Sequence, residues 1–502
     1  MHSPFGWIRW LAFCLPIALV SVPDHARASE LTIAQATAPA ALDPGFLREA
    51  ATLVDNVFDT LVMRDDQMRL VPGLATEWRV VDEQTWEFEL RPGVKFHNGE
   101  PFDAEAVKFT FDRILDPAAN APTISYVRTI SEVEIVDADT VRFHTTGADP
   151  LLPSRLSRYP AYIVPPGYLR EVGEQEFASA PVGTGPYRVA EFVRDDHLTM
   201  VANPDYWRGA PQVERVVWRP IPEATARVAA LLSGEVQLAE SIPADLAQLI
   251  ESNPELRLDR VENGGLTLYL GLKSDEPPLD DPRVREALSL AIDRQAVVSR
   301  LLRGFATVHG SQASPLDHGY LELPAPGYDP ERARELLAEA GYGDGFEIRM
   351  QAPRRYNASA EVGQYLAQAF GQIGVKVSLE IPEWSVYTQQ VPAGSQAPIY
   401  MLGWGSTQTL DADAALYPIL RSGEPYSTVR DAELDQLLDR SRQMLDEQQR
   451  VELLAAVQQR VVDQRLLLTL YQEDSLYGVA NGVRFEGRAD ARIPLFDLGF
   501  DR

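Results

Sequence analysis

The sequence predicts an α/β protein in which the chain leaves a first lobe, builds a second, and returns to the first. Three observations carry this. Strand-like and helix-like hydrophobic periods are mixed along the whole chain. No internal repeat or low-complexity tract breaks them up. Two extended segments, "GGLTLYLGLKSD" (264 to 275) and "LLLTLYQEDSLYGVA" (466 to 480), bracket one long α/β region. If both are crossing strands placed side by side, they make a hinge, because few residues then absorb the dihedral change on closure. At about 100 to 200 residues per domain, 502 residues suggest two to four domains.

Taken from the N-terminus, residues 1 to 28 carry a short basic start at Arg9, an apolar run over 11 to 22, and Ala26-Arg27-Ala28. That is the three-part pattern of a secretory signal peptide, with cleavage expected after Ala28. The run is too short for a bilayer, which takes about 20 residues, and Pro16 interrupts it. The only cysteine, Cys14, lies in the segment to be removed, and Phe13 before it is not the small residue that precedes an acylated cysteine. The mature chain is therefore expected to hold together by core burial rather than disulfides. It keeps 44 basic and 72 acidic residues, a net charge of −28. Such a field repels nucleic acid and anionic membrane surfaces.

The expected strands include "TWEFEL" (85 to 90), "VERVVWRPI" (213 to 221), "LTLYLGL" (266 to 272) and "VKVSLEI" (375 to 381), all rich in β-branched or aromatic residues. "DPERARELLAEAG" reads as a helix capped by Asp329, with Pro330 at its first position and Gly341 closing it. Further helices are expected over 281 to 302, from Ser359, and near 431 to 445 and 447 to 463.

Catalytic and cofactor motifs are missing. "PVGTGPYRV" (181 to 189) lacks the lysine and hydroxyl residue of a phosphate loop and leads into a strand. "GYGDG" (341 to 345) follows a helix and precedes a strand, the reverse of a dinucleotide site. No two of the seven histidines have helical metal spacing. No cofactor, metal or catalytic residue is expected. An exported hydrolase on the same scaffold is the remote alternative.

The segments 74 to 115, 181 to 223, "DDPRVREALSLAID" (280 to 293) and "YDPERARELLAEAGY" (328 to 342) together resemble the family 5 extracellular solute-binding proteins, which serve bacterial ABC importers. The resemblance implies a two-lobed periplasmic-binding-protein-like fold (type II, cluster C) with two crossing hinge strands. The first lobe would span 29–265 plus 477–502, with an extra subdomain at about 72–185, and the second lobe 266–476. It implies a monomer in the periplasm that traps a small peptide-like solute, a dipeptide, oligopeptide or glutathione-like ligand, and delivers it to a membrane permease. An opine, an oligosaccharide or a nickel complex is the alternative ligand.

The resemblance also suggests site residues. In "YMLGWGSTQTLDADAALYP" (400 to 418), Trp404 ends a strand and is expected to wall the ligand. Thr407 stands where peptide-binding relatives have an aspartate for the ligand's α-amino group. The nearest carboxylates are Asp411 and Asp413, either of which is the candidate partner for an ammonium or else a helix cap. In "APRRYNASAEVGQYL" (352 to 366), Arg354 or Arg355 is expected to take a ligand carboxylate bidentately, with Tyr356 beside it. The loop 36 to 44 is expected to contact ligand backbone.

Overall fold

Runs of Val, Ile, Leu and aromatic residues build two large sheets, one for each lobe. The computed structural model describes residues 30–47, 52–407 and 409–501, so the export segment expected at 1 to 28 lies outside the described residues. The first sheet has seven strands in the order Leu256–Val261, Ser475–Ala480, Leu238–Ala239, Glu30–Gln35, Arg215–Pro220, His197–Ala202 and Tyr187–Val193. The second has six: Ala306–Thr307, Leu467–Glu473, Thr267–Leu272, Ile399–Trp404, Phe346–Gln351 and Val375–Glu380. Thr267–Leu272 and Leu467–Glu473 are buried at every position, as central strands covered on both faces must be. The sheets have separate cores, built around Leu270, Val284 and Phe370 in the second lobe and around Ile33, Trp218 and Tyr187 in the first.

Between Glu30–Gln35 and Tyr187–Val193 the chain inserts a four-stranded antiparallel subdomain, ordered Ala75–Asp82, Thr85–Leu90, Thr140–Thr145 and Ile130–Asp137. Phe143 meets Phe88 and Phe111 edge-on at 5.3 and 5.0 Å, which ties the sheet to helix Ala104–Leu115. With this subdomain the first sheet forms the first lobe.

The helix led by Asp329 runs over Pro330–Glu339, its cap accepting from the Arg332 amide at 2.9 Å, and Gly341 has the positive φ of a helix end. The long helix expected over 281 to 302 is broken. Pro282–Leu290 stops, Asp293 caps a new start by accepting from the Ala296 amide, and a π-turn follows at Val297–Leu301. The break aims Arg294 inward, where it donates to the Thr469 and Ser289 carbonyls. Ser359–Gln372, Ala432–Ser441 and Glu447–Gln464 complete the second lobe.

The chain passes between the sheets at 262–266 and again at Asp474, and the two passages touch. The Gly265 amide donates to the Glu473 carbonyl at 2.9 Å, and the Glu473 amide donates back to Leu266 at 3.0 Å. The Gln472 side chain donates to the carbonyls of Asn263 and Gly265, and Asp474 accepts from the Asn263 amide and from Arg260. A Cβ on Gly265 would stand 2.7 Å from the Glu473 carbonyl oxygen, so only glycine allows this approach. Among the described residues no helix is long and apolar enough to cross a membrane.

Candidate ligand site between the lobes

Strand Ile399–Trp404 is buried over its first four residues and emerges at Gly403 and Trp404, where the chain turns towards the first lobe. A Cβ on Gly403 would meet the Tyr356 ring at 2.8 Å, so the glycine lets that ring lie against the strand. Trp404 is half-buried. Its indole N–H donates to the Ala414 carbonyl at 2.9 Å, and its ring lies 5.0 Å from that of Tyr426.

The loop after Trp404 is where the lobes meet. Arg158 of the first lobe donates to the Thr407 carbonyl at 2.5 Å, and Arg64 donates to the Thr409 carbonyl. Arg158 also holds the Asp490 carbonyl at 2.7 Å, while Arg64 reaches Met68 O and Ser154 Oγ. Thr407 therefore offers its backbone, rather than a charge, at the position where the family resemblance expects a carboxylate.

The two aspartates that follow already hold cations from their own lobe. Asp411 caps helix Ala412–Leu420 through the Asp413 amide and takes Arg450 on both oxygens, at 2.6 and 2.7 Å. Both side chains of that pair are 4% exposed. Asp413 takes Arg442 at 2.7 and 2.9 Å, and that guanidinium lies over the Tyr417 ring. The capping role weighed for Asp411 is thus present, together with a buried ion pair.

Arg354 and Arg355 are both exposed. Arg355, Tyr356 and Asn357 line a cavity of about 640 Å³ that also touches Pro243–Asp245 of the first lobe; Arg354 is not among its lining residues. The Arg355 guanidinium sits 5.6 Å over Trp384, and Tyr356 packs edge-on to the same ring. Burial pushes the Tyr356 hydroxyl up to about 12. The Asn357 amide donates to Glu473, whose carboxyl burial raises to about 7. In the loop 36 to 44, the Ala36 amide donates to Glu240 and Arg113 holds Asp43.

A second cavity, of about 570 Å³, opens beside Leu410 and Asp411. Arg64, Met68, Trp86 and Ser154 line it from the first lobe, and Asp317, Leu410, Asp411 and Arg450 from the second. Asp317 is the group that the sequence did not flag. Its carboxylate accepts from the Ser314 amide at 2.8 Å and from the Ser406 hydroxyl, and burial raises it to about 7. Among the described residues no group of three or more His, Cys, Asp or Glu could hold a metal.

Residues 69–427 match the model of the bacterial extracellular solute-binding proteins, family 5. The chain belongs to that family. Glutathione-binding protein GsiB of Pectobacterium atrosepticum is 31% identical over 421 residues, 82% of this chain and 81% of that relative. The structure of HbpA2 from Haemophilus parasuis matches with a TM-score of 0.84 at 25% identity, covering 94% of this chain and 100% of that one. A dipeptide-binding protein of Pseudoalteromonas sp. SM9913, in complex with Met-Leu, matches with a TM-score of 0.78 at 24% identity over 94% of this chain and 100% of that one. The fold of this family 5 protein is the two-lobed periplasmic binding-protein fold with an inserted subdomain.

Proposed function

We propose that this family 5 protein is the periplasmic substrate-binding component of an ABC importer, taking up a small peptide-like solute of the glutathione class. Residues 1 to 28 would direct export and then be removed, and the monomer would deliver its ligand to a membrane permease. The reading rests above all on the two sheets joined through adjacent passages at 262–266 and Asp474, with charged cavities opening between the lobes. The similarity to glutathione-binding GsiB supports the ligand class. In this reading the ligand lies between the lobes, and closure removes water from its charges, which strengthens every polar contact made there. The ligand shifts a population of open and closed forms and undergoes no reaction.

A thermal-shift panel of reduced and oxidised glutathione, dipeptides, an opine and cello-oligosaccharides tests this. A ligand at a hundred times its dissociation constant stabilises by about 2.7 kcal/mol. Glutathione or a dipeptide should raise the melting temperature in proportion to the logarithm of its concentration. A response confined to the sugars or the opine would refute the ligand class.

A further inference from the structure

We propose that the ligand's ammonium is taken by Asp317 of the second lobe and its carboxylate by Arg64 of the first, across the cavity of about 570 Å³ that both side chains line. This rests on the binding-protein reading above and makes it specific. An ammonium leaving water needs a carboxylate that is not itself satisfied by a stronger cation. Asp411 and Asp413 each carry a two-pronged guanidinium, and displacing Arg450 or Arg442 would leave that arginine without its counter-charge.

Asp317 is different. Its two oxygens accept from the Ser314 amide and the Ser406 hydroxyl, both neutral donors, and among the described residues no cation lies within 4 Å of it. Arg64 is its counterpart. Its donors go to the Met68 and Thr409 carbonyls and to the Ser154 hydroxyl, with no carboxylate among them. One carboxyl and one guanidinium, each held in place by neutral partners, thus face one cavity from opposite lobes. A carboxyl that can ionise against an ammonium, opposite a fixed cation, suits a zwitterion. The volume is in the range of small-molecule sites, about 300 to 1,000 Å³, and Trp86, Leu316 and Leu410 supply apolar wall for the body of the solute.

The arrangement also accounts for closure. A solute with both charges makes both contacts only when the lobes are together, so its differential affinity, which is what drives a conformational change, resides in this pair.

The test uses the full mature chain and titration calorimetry with glutathione and N-acetylglutathione, on wild type, Asp317→Asn and Arg64→Gln. Wild type should bind N-acetylglutathione on the order of thirty-fold or more weaker than glutathione, the loss expected when one partner of a desolvated charge pair is removed. Asp317→Asn should weaken glutathione by a similar factor and leave N-acetylglutathione nearly unchanged. Arg64→Gln should weaken both ligands. Wild type binding the two ligands equally, or Asp317→Asn binding glutathione as tightly as wild type, overturns the assignment while leaving the binding-protein reading in place. Wild type that binds no amine-bearing member of the panel overturns that reading itself.

Discussion

Asp411 and Arg450 are worth most to this protein as a pair. Both are buried, and removing one partner leaves the other as an uncompensated charge, which costs about 3–5 kcal/mol. Asp411→Ala should therefore lower the free energy of unfolding by about that amount in urea denaturation, and Asp411→Ala with Arg450→Leu should recover much of the loss. An unchanged midpoint for the single variant would show that the pair is not formed. The carboxyl of Asp317 makes a separate prediction about pH. Burial raises it to about 7, opposed by its bonds from Ser406 and Ser314 and by Arg64, and assisted by Asp411. Between about pH 4, its ordinary value, and pH 7, the folded protein holds a proton that the unfolded chain has lost. This group therefore stabilises the unliganded protein at the acid end of that window, and the contribution disappears as pH rises. An ammonium placed beside it expels the proton. Calorimetry at pH 6 in two buffers of different ionisation heat should show release of on the order of one proton per ligand by wild type and less by Asp317→Asn; equal release by both would exclude Asp317 as the source. At this scale the sequence was only partly readable. Asp411 and Asp413 stand out, but their partners lie 39 and 29 residues away. Arg450 does leave a trace, since it falls on the buried stripe of its helix with Leu453, Leu454, Val457 and Val461. Asp317 sits in a loop with no period to betray it.

Whole strands and helices were far more legible, because burial of one face imposes a period. Residues 85 to 90 form the strand that their aromatic and β-branched content predicts, and Asp329 caps the helix that its spacing predicts. The exception, the break at Asp293, goes with a buried arginine that reaches a strand carbonyl, that of Thr469, which no local pattern announces. The passages between the lobes depend on a contact of the same long-range kind. Gly265→Ala would drive a methyl against the Glu473 carbonyl, for about 1–3 kcal/mol of strain. It should lower the melting temperature of the unliganded protein and weaken ligand binding together, whereas Gly147→Ala, far from the passages in sequence and in open space, should leave affinity alone. Unaltered melting and affinity in Gly265→Ala would mean that the two passages can separate freely.

At the scale of the molecule, Arg158 and Arg64 bridge the lobes through the carbonyls of Thr407 and Thr409. Small-angle scattering should find unliganded Arg158→Gln more expanded than wild type, and saturating ligand should bring both to a similar radius. Identical profiles for the two unliganded proteins would show that these bonds do not hold the lobes. The two-lobed plan was legible from a pair of extended segments and their neighbourhood in the chain, since a region that starts and ends in extended chain has a simple way to be a body of its own. How the lobes meet was not, because it depends on arginines whose neighbours in sequence say nothing of their reach. The touching passages have one more consequence. Because the stretch that builds the second sheet departs and comes back at passages joined by backbone hydrogen bonds of 2.9 and 3.0 Å, it is a cassette with abutting ends. A few linking residues in its place would rejoin what remains without stretching it, so this half could be exchanged as a graft with the other half's chain left continuous.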